Sequence, residues 1–264
     1  MNYRVAVFLP IYKKINELTI YELALISKIE EILSKHSLFI GLHHDLIDEY
    51  KIYNNFEKII LDKSYFGSKE RYNKLLAKKS FYDNFKDFDY LQIIQLDCWI
   101  FDDRLHEFCS MGYDYIGAPW MEGSLDCNPQ EKLWKTGNGG FSLRKIKTII
   151  NLLDQVQTSK KGRQPVFEYP IRLDFKFLKN FGWRNNLKHY LAGAPAEDLF
   201  WCIYIPQIFS SKDFKIADPT IASNYSFEVN PSYLYSEITQ GKLPMGCHNW
   251  LNNEPKFWSE HIKL

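Results

Sequence analysis

The sequence has no CxxC pair, no GxGxxG or GxxxxGK[ST] string, no internal repeat, no low-complexity tract and no run of about 18 apolar residues. Each absence removes a class. Without those glycine spacings there is neither a dinucleotide fingerprint nor a Walker loop. Five cysteines, Cys98, Cys109, Cys127, Cys202 and Cys247, are an odd number at unrelated spacings, which argues against a disulfide framework and a zinc knuckle and reads as reduced thiols. Charge of one sign is also missing. Lys plus Arg number 33 against 32 Asp plus Glu, a net charge of +1, so no whole-molecule field draws the chain to nucleic acid or lipid. The opening MNYRVAVFLPIYKK holds an apolar stretch of about eight residues before charge, too short for a signal core or a membrane span. A cytoplasmic location is the expectation.

What is present is an ordinary globular composition, 264 residues with 45% hydrophobic content, and a strand–helix alternation. Arg4–Ile11 (RVAVFLPI) reads as a strand buried on both faces. Leu18, Tyr21, Leu25, Ile29 and Ile32 recur at helical spacing and predict a helix over Glu17–Lys35, followed by a second strand, Ser37–Leu42. Glu57–Leu61 and Tyr90–Leu96 read as further strands, Ser68–Phe85, Arg104–Met111 and Arg144–Leu153 as helices, and Tyr113–Gly117 as a short strand. Asp102 or Asp103 is expected to cap the Arg104–Met111 helix. His43 and His44 read as surface residues, Thr158–Pro165 as a polar, mobile loop, Ile216–Phe227 as extended, and Leu243–Trp250 as the closing segment before an aromatic tail with Phe257 and Trp258. The class is α/β, one domain with no linker, and in such folds ligands settle at the carboxyl ends of strands. Pro10 and Tyr12 stand at one such end.

Four elements carry potential chemistry. Asp97 follows a buried strand, where a loop is exposed yet held rigidly. The run Gly137 to Gly140 has three glycines in four positions, allowing close backbone approach to a ligand. Glu197 and Asp198 (AEDLFW) follow a small-residue turn, Ala192 to Pro195, and open an apolar run to Ile205 that reads as a buried helix. As first-turn acids they cap a helix and complement its dipole; as rigid carboxylates they suit a general base. His248 lies in a late turn, structural when taken singly. Arg71, Lys74 and Lys78 share one helical face, a solvated surface or a contact for diphosphate or anionic headgroups.

The order of these elements resembles the GT-A glycosyltransferases, with their DxD-type motif, glycine loop, xED motif and late metal-binding histidine. The match is closest to a bacterial domain-of-unknown-function family of polysaccharide-biosynthesis transferases, echoed by YLQIIQLDCWIF (Tyr90 to Phe101), YDYIGAPW (Tyr113 to Trp120), GNGGFSLRK (Gly137 to Lys145), EDLFW (Glu197 to Trp201) and CHNW (Cys247 to Trp250). The departure is at DxD, where Asp97-Cys98-Trp99 lacks the second acid.

The resemblance implies a single Rossmann-like domain with a central mixed, mostly parallel sheet flanked by helices. Its nucleotide part would span about residues 1–120 and its acceptor part about 121–264. It implies transfer of a hexose, galactose by guess, from a UDP-sugar to a hydroxyl of a growing cell-surface polysaccharide or lipid-linked glycan, with inversion. Asp198 is then the base, with Glu197 second; Asp97 and His248 are ligands for a divalent ion, Mn or Mg. Pro10, Tyr12, Arg71, Asn73, Lys74, Asp97 and Trp99 form the donor side. Gly139, Gly140 and Trp120 form the acceptor side, with Trp120 or Trp134 stacking on a sugar. The partners implied are the nucleotide sugar and the glycan, with no nucleic acid and at most peripheral membrane contact. The alternative is a non-catalytic nucleotide- or carbohydrate-binding module on the same fold.

Overall fold

The apolar runs become strands because period-two side chains can be covered on both faces. In the computed structural model, which describes residues 3–124, 128–166, 186–193 and 196–264, the first run is β1 (Val5–Pro10), with every residue buried. Val5, Val7 and Leu9 enter one apolar cluster while Ala6 and Phe8 enter another on the opposite sheet face. The next strands are β2 (Ser37–Leu42), β3 (Phe56–Ile60), β4 (Tyr90–Ile94), β5 (Cys98–Ile100) and β6 (Tyr115–Ile116). They are followed by β7 (Pro119–Met121), β8 (Leu133–Thr136), β9 (Phe141–Lys145), β10 (Ser226–Phe227) and β11 (Gly246–His248). Six of them form the central sheet in the order β3-β2-β1-β4-β9-β6. The first four are mutually parallel, and β9 runs antiparallel to both β4 and β6. The chain is thus α/β with a mixed, mostly parallel sheet. A second sheet, β10-β11-β5, and a β7-β8 hairpin flank it.

Helices take their ends from caps. α1 (Ile20–Ile32) starts at Thr19, whose hydroxyl and Glu22 form a capping box, so Ile15–Glu17 is a separate 3-10 turn ahead of it. The expected Ser68–Phe85 helix is broken into α2 (Lys69–Leu76), capped by Ser68, and α3 (Lys79–Tyr82). Lys78 is the extended residue before α3, so Arg71, Lys74 and Lys78 do not share one helical face. The N-cap of α4 (Leu105–Ser110) is Arg104; Asp103 just before it accepts from Leu105 N–H at 3.1 Å, and Asp102 accepts from Asp103 N–H. α5 (Ile146–Thr158) runs further than expected.

Thr158–Pro165 is packed rather than loose: Lys160–Arg163 forms a 3-10 turn, and a Cβ on Gly162 would lie 1.8 Å from Val156 O, so the turn sits directly on the α5 backbone. The segment read as extended from Ile216 instead holds a helix, α8 (Pro219–Tyr225), after α6 (Leu187–Gly193) and α7 (Glu197–Leu199). Asp218 accepts from Thr220 N–H and Pro219 opens the helix, a start signal that outweighs the β-branched residues around it. Among the described residues α9 (Pro231–Tyr233) and α10 (Pro255–His261) follow.

Trp258 is fully buried, which removes it from any aromatic membrane contact, and His43 is buried rather than on the surface. Cys98, Cys109, Cys202 and Cys247 are buried free thiols; Cys127, Ala194 and Pro195 lie outside the described residues. Among the described residues no helix is long and apolar enough to cross a membrane.

Candidate active site

Main-chain pairing sets the centre of the site. β1 has β2 on one side and β4 on the other, so the carboxyl ends of β1 and β4 open a crevice where the strand order reverses. Pro10 is the buried last residue of β1, and Tyr12, 50% exposed, lies just beyond it. Burial raises the Tyr12 phenol, the Lys13 ammonium pulls it back and the Asp97 carboxylate pushes it further, which places Tyr12 within electrostatic reach of Asp97. Past β4, Gln95 N–H donates to Gly140 O at 2.9 Å and Asn249 N–H donates to Asp97 O at 2.9 Å. β5 and β11 pair antiparallel with Cys98 opposite His248. These contacts bring Asp97, the glycine-rich turn and His248 to one point.

His248 Nε2 stands 3.3 Å from Asp97 Oδ1, and its Nδ1 stands 3.0 Å from Glu228 Oε1. Burial would lower the imidazole, but the Glu228 and Asp97 carboxylates outweigh it and raise its pKa to about 10. Burial would likewise raise the Asp97 carboxyl; the adjacent His248 ring and its charge, with Lys69, bring it below its usual value. A divalent cation fits these residues. Donor atoms of Asp97, Cys98 and His248 lie within 4.8 Å of one another, and buried Nε2 has no hydrogen-bond partner. The other ring nitrogen is held by a carboxylate, as in metal-binding histidines generally. Cys98 is the poor member: its buried thiol is pushed well up and donates to Gly140 O at 3.3 Å, so it stays a thiol. Gly140 makes the room, since a Cβ there would lie 2.2 Å from His248 Nε2.

The Glu-Asp pair divides. Glu197 is built into the core: its Oε1 accepts from Arg144 Nη2 at 2.7 Å, and both side chains are almost wholly buried. Arg144 also donates to Ser142 Oγ, Tyr82 Oη and Gly139 O, which ties the pair to the glycine-rich turn. A Cβ on Gly139 would fall 1.8 Å from Glu197 Oε1. Burial raises the Glu197 carboxyl to about 7 against the pull of Arg144. Asp198 is half-buried and accepts from Leu199 N–H at 2.9 Å. Burial raises its carboxyl, Glu228 adds to that, and the Leu199 N–H, Lys69 and Arg144 oppose it. The helix beyond loosens at once into a π-turn, Phe200–Tyr204, and a 3-10 turn, Ile205–Gln207, where Pro206 has no N–H to continue the α ladder.

Of the residues expected from the sequence, Asp97, Gly140 and His248 meet at one point, Tyr12 lies within electrostatic reach of Asp97, Asp198 within reach of Glu228, Glu197 stands against Gly139 in the core, and Pro10 ends β1. Arg71 and Lys74 are exposed and Asn73 half-buried on α2; the charge that reaches both Asp97 and Asp198 is that of Lys69, one turn earlier. Trp99 is 4% exposed and packs edge-on to Trp250, and Trp120 is 6% exposed, stacked on Trp134 and pressed against Gly137. Both are core residues without an open ring face, in place of the donor and acceptor contacts expected of them. Lys69, Asn138, Arg144 and Glu228 are the residues that sequence reasoning missed. Asn138 alone had a local signal, its place between glycines in GNGG, where the chain takes a left-handed φ of 64° that Asn tolerates better than most residues.

The fold is similar to solved glycosyltransferases at low identity. Mouse xyloside xylosyltransferase 1 in its apo form aligns with a TM-score of 0.47 and 12% identity over 95% of this chain and 98% of that one. A glycosyltransferase involved in glycosylation of the major capsid of PBCV-1 aligns at 0.44 and 10% over 98% of each chain. The bifunctional glycosyltransferase WbbM in its apo form aligns at 0.45 and 11% over 97% of this chain and 47% of that one. No curated protein matches. The DUF5672 family, described as proteins of unknown function, matches residues 55–248. That match takes in Lys69, Asp97, the glycine-rich turn, the Glu-Asp pair, Glu228 and His248 and ends on the histidine, and by it the chain belongs to the DUF5672 family.

Proposed function

We propose that the protein is a glycosyltransferase of the GT-A type, moving a hexose from a nucleotide sugar to a glycan hydroxyl by a single inverting displacement. The observation that carries this reading is the division of labour between two adjacent acids. Arg144 takes Glu197 into the core, and Asp198 stays half-buried, its carboxyl raised by burial and by Glu228, the acid that also contacts His248. A base is most effective when its pKa approaches the working pH and its position is fixed.

Asp97 and His248 would hold the divalent ion, Mn or Mg, whose Lewis acidity stabilises the charge growing on the leaving diphosphate. Lys69 adds a second positive charge on the same side. Tyr12 and Pro10 border the nucleotide at the end of β1, and Gly139 and Gly140 keep the crevice open. Asp198 takes the hydroxyl proton as the acceptor oxygen bonds to the anomeric carbon and the bond to the diphosphate oxygen breaks. UDP-galactose is the donor we would try first, and a cell-surface polysaccharide or its lipid-linked precursor the acceptor.

The test is a panel of nucleotide sugars screened for thermal stabilisation with and without manganese, followed by transfer assays on the best donor. Asp198→Asn should bind that donor as the parent does and turn over roughly 10²- to 10⁴-fold more slowly. Near-normal transfer by this variant would remove Asp198 from the chemistry; no stabilisation by any nucleotide sugar would count against the transferase reading itself.

A further inference from the structure

The side-chain amide of Asn138 can sit only one way round. Its Oδ1 accepts from the backbone N–H of Gly140 at 2.8 Å and of Phe141 at 3.3 Å, so a turned amide would point its own hydrogens at two donors. With that orientation fixed, Nδ2 donates to Glu228 Oε2 at 2.7 Å, and the other oxygen of the same carboxylate lies 3.0 Å from His248 Nδ1. A carboxylate accepts and does not donate, so the proton in that contact belongs to Nδ1.

Asn138 Nδ2 also stands 2.9 Å from Nδ1, a contact that taken alone would favour a bare nitrogen there. Charge decides between the two. A hydrogen bond to an ionised acceptor is roughly twice as strong as a neutral one, and a bare Nδ1 would face the carboxylate with its lone pair. A cation can take only the neutral ring, and there protonation at Nδ1 leaves the lone pair on Nε2, the buried atom that faces Asp97 at 3.3 Å. The backbone pays for this arrangement at Asn138, whose φ of 64° glycine would adopt more easily. Glycine, however, has no amide to orient. Tyr115 Oη, donating to Asn138 O at 2.8 Å, holds the peptide in place.

We propose that Asn138 and Glu228 are positioning residues that relay hydrogen-bond polarity from the glycine-rich turn to His248. Backbone sets amide, amide sets carboxylate, and carboxylate sets the imidazole tautomer that presents Nε2 to a divalent cation. The inference rests on the cation reading given above. It also gives a place to the acid that Asp97-Cys98-Trp99 lacks: Glu228 acts on the far side of the histidine rather than on the ion.

The test is calorimetric titration of the full chain with Mn²⁺ alone, without nucleotide, with thermal melting of each variant to check its fold. In Glu228→Gln the new amide must turn its oxygen to Asn138 and its nitrogen to Nδ1, which moves the proton to Nε2. Mn²⁺ affinity should fall about 10- to 100-fold, the usual loss when such a partner is removed. Asn138→Asp sets carboxylate against carboxylate and should weaken binding as well. The double variant restores the polarity, because the glutamine can donate to the aspartate and accept from Nδ1–H. It should therefore bind Mn²⁺ more tightly than either single variant, whereas a merely structural role predicts losses that add. If a single variant does not fold, the comparison is parent against double variant, with affinities within about tenfold of each other expected. Parent affinity retained in Glu228→Gln, or additive losses in the double variant, would overturn the relay alone. A parent chain that does not bind Mn²⁺ would overturn the relay and the cation reading together.

Discussion

At the scale of the residue, two neighbouring acids have different surroundings, and on the proposed mechanism their substitution should separate stability from turnover. Glu197→Gln leaves the Arg144 guanidinium buried without its counter-charge, and breaking such a pair costs about 3–5 kcal/mol. A melting point lower by roughly 10 °C is expected for a chain of this size. Asp198→Asn keeps an acceptor for Leu199 N–H and should melt within a few degrees of the parent. Differential scanning calorimetry of both variants distinguishes them; equal melting points would mean that the buried pair contributes nothing. Asp97, the Glu-Asp pair and His248 stand out as candidates in the sequence because each has a local mark, a strand end or a conspicuous string. Glu228 has none. Its role comes from β10 lying beside β11, and no spacing within SFEVNP records that. Arg144 was hidden for a related reason, since an arginine in a strand gives no sign that its guanidinium is wholly buried.

At the scale of the element, caps explain both the successes and the failures. β2 spans the six residues from Ser37 to Leu42 as expected, because a short continuous apolar run of strand length is buried there on both faces. The helix at Pro219 was missed because β-branched residues suggested extension while Asp218 and Pro219 signalled a start, and the start signal won. The acid ahead of α4 has a measurable consequence. Burial would raise the Asp103 carboxyl, but the hydrogen bonds from His36 and Leu105 N–H and the Lys35 ammonium hold it at about 2, against an ordinary 3.8. A depressed carboxyl stabilises the fold above its unfolded value and loses that contribution as pH falls toward the folded one. Urea unfolding should therefore show a loss of about 2 kcal/mol between about pH 4 and pH 2, absent from Asp103→Asn. An unchanged acid limb in that variant would show that the His36–Asp103 contact does not support folding.

At the scale of the whole molecule, balanced charge and the central sheet were legible from composition and alternation, while the convergence of distant segments on one crevice was not. The two sheets should also differ in durability. β1 and β4 are buried throughout and flanked on both sides, whereas the sheet that brings Glu228 and His248 together is built from strands of two and three residues. Hydrogen exchange should release the amides of β5, β10 and β11 before those of β1 and β4; simultaneous release would mean that the two sheets open as one unit.

The order of that small sheet, β10-β11-β5, puts at its centre the strand made last. As the chain leaves the ribosome, Cys98 to Ile100 emerges with no antiparallel neighbour, and its partner is not made until synthesis reaches Gly246 to His248. At about 5–20 residues per second that is a wait of roughly ten seconds or more. Throughout it Asp97, joined later by the glycine-rich turn, exists without the histidine, and the edge of β5 carries open backbone groups beside Trp99 and Ile100. A nascent chain is therefore inert toward any cation bound through His248 until its final strand is inserted, and assembly of the site coincides with closure of its most vulnerable edge.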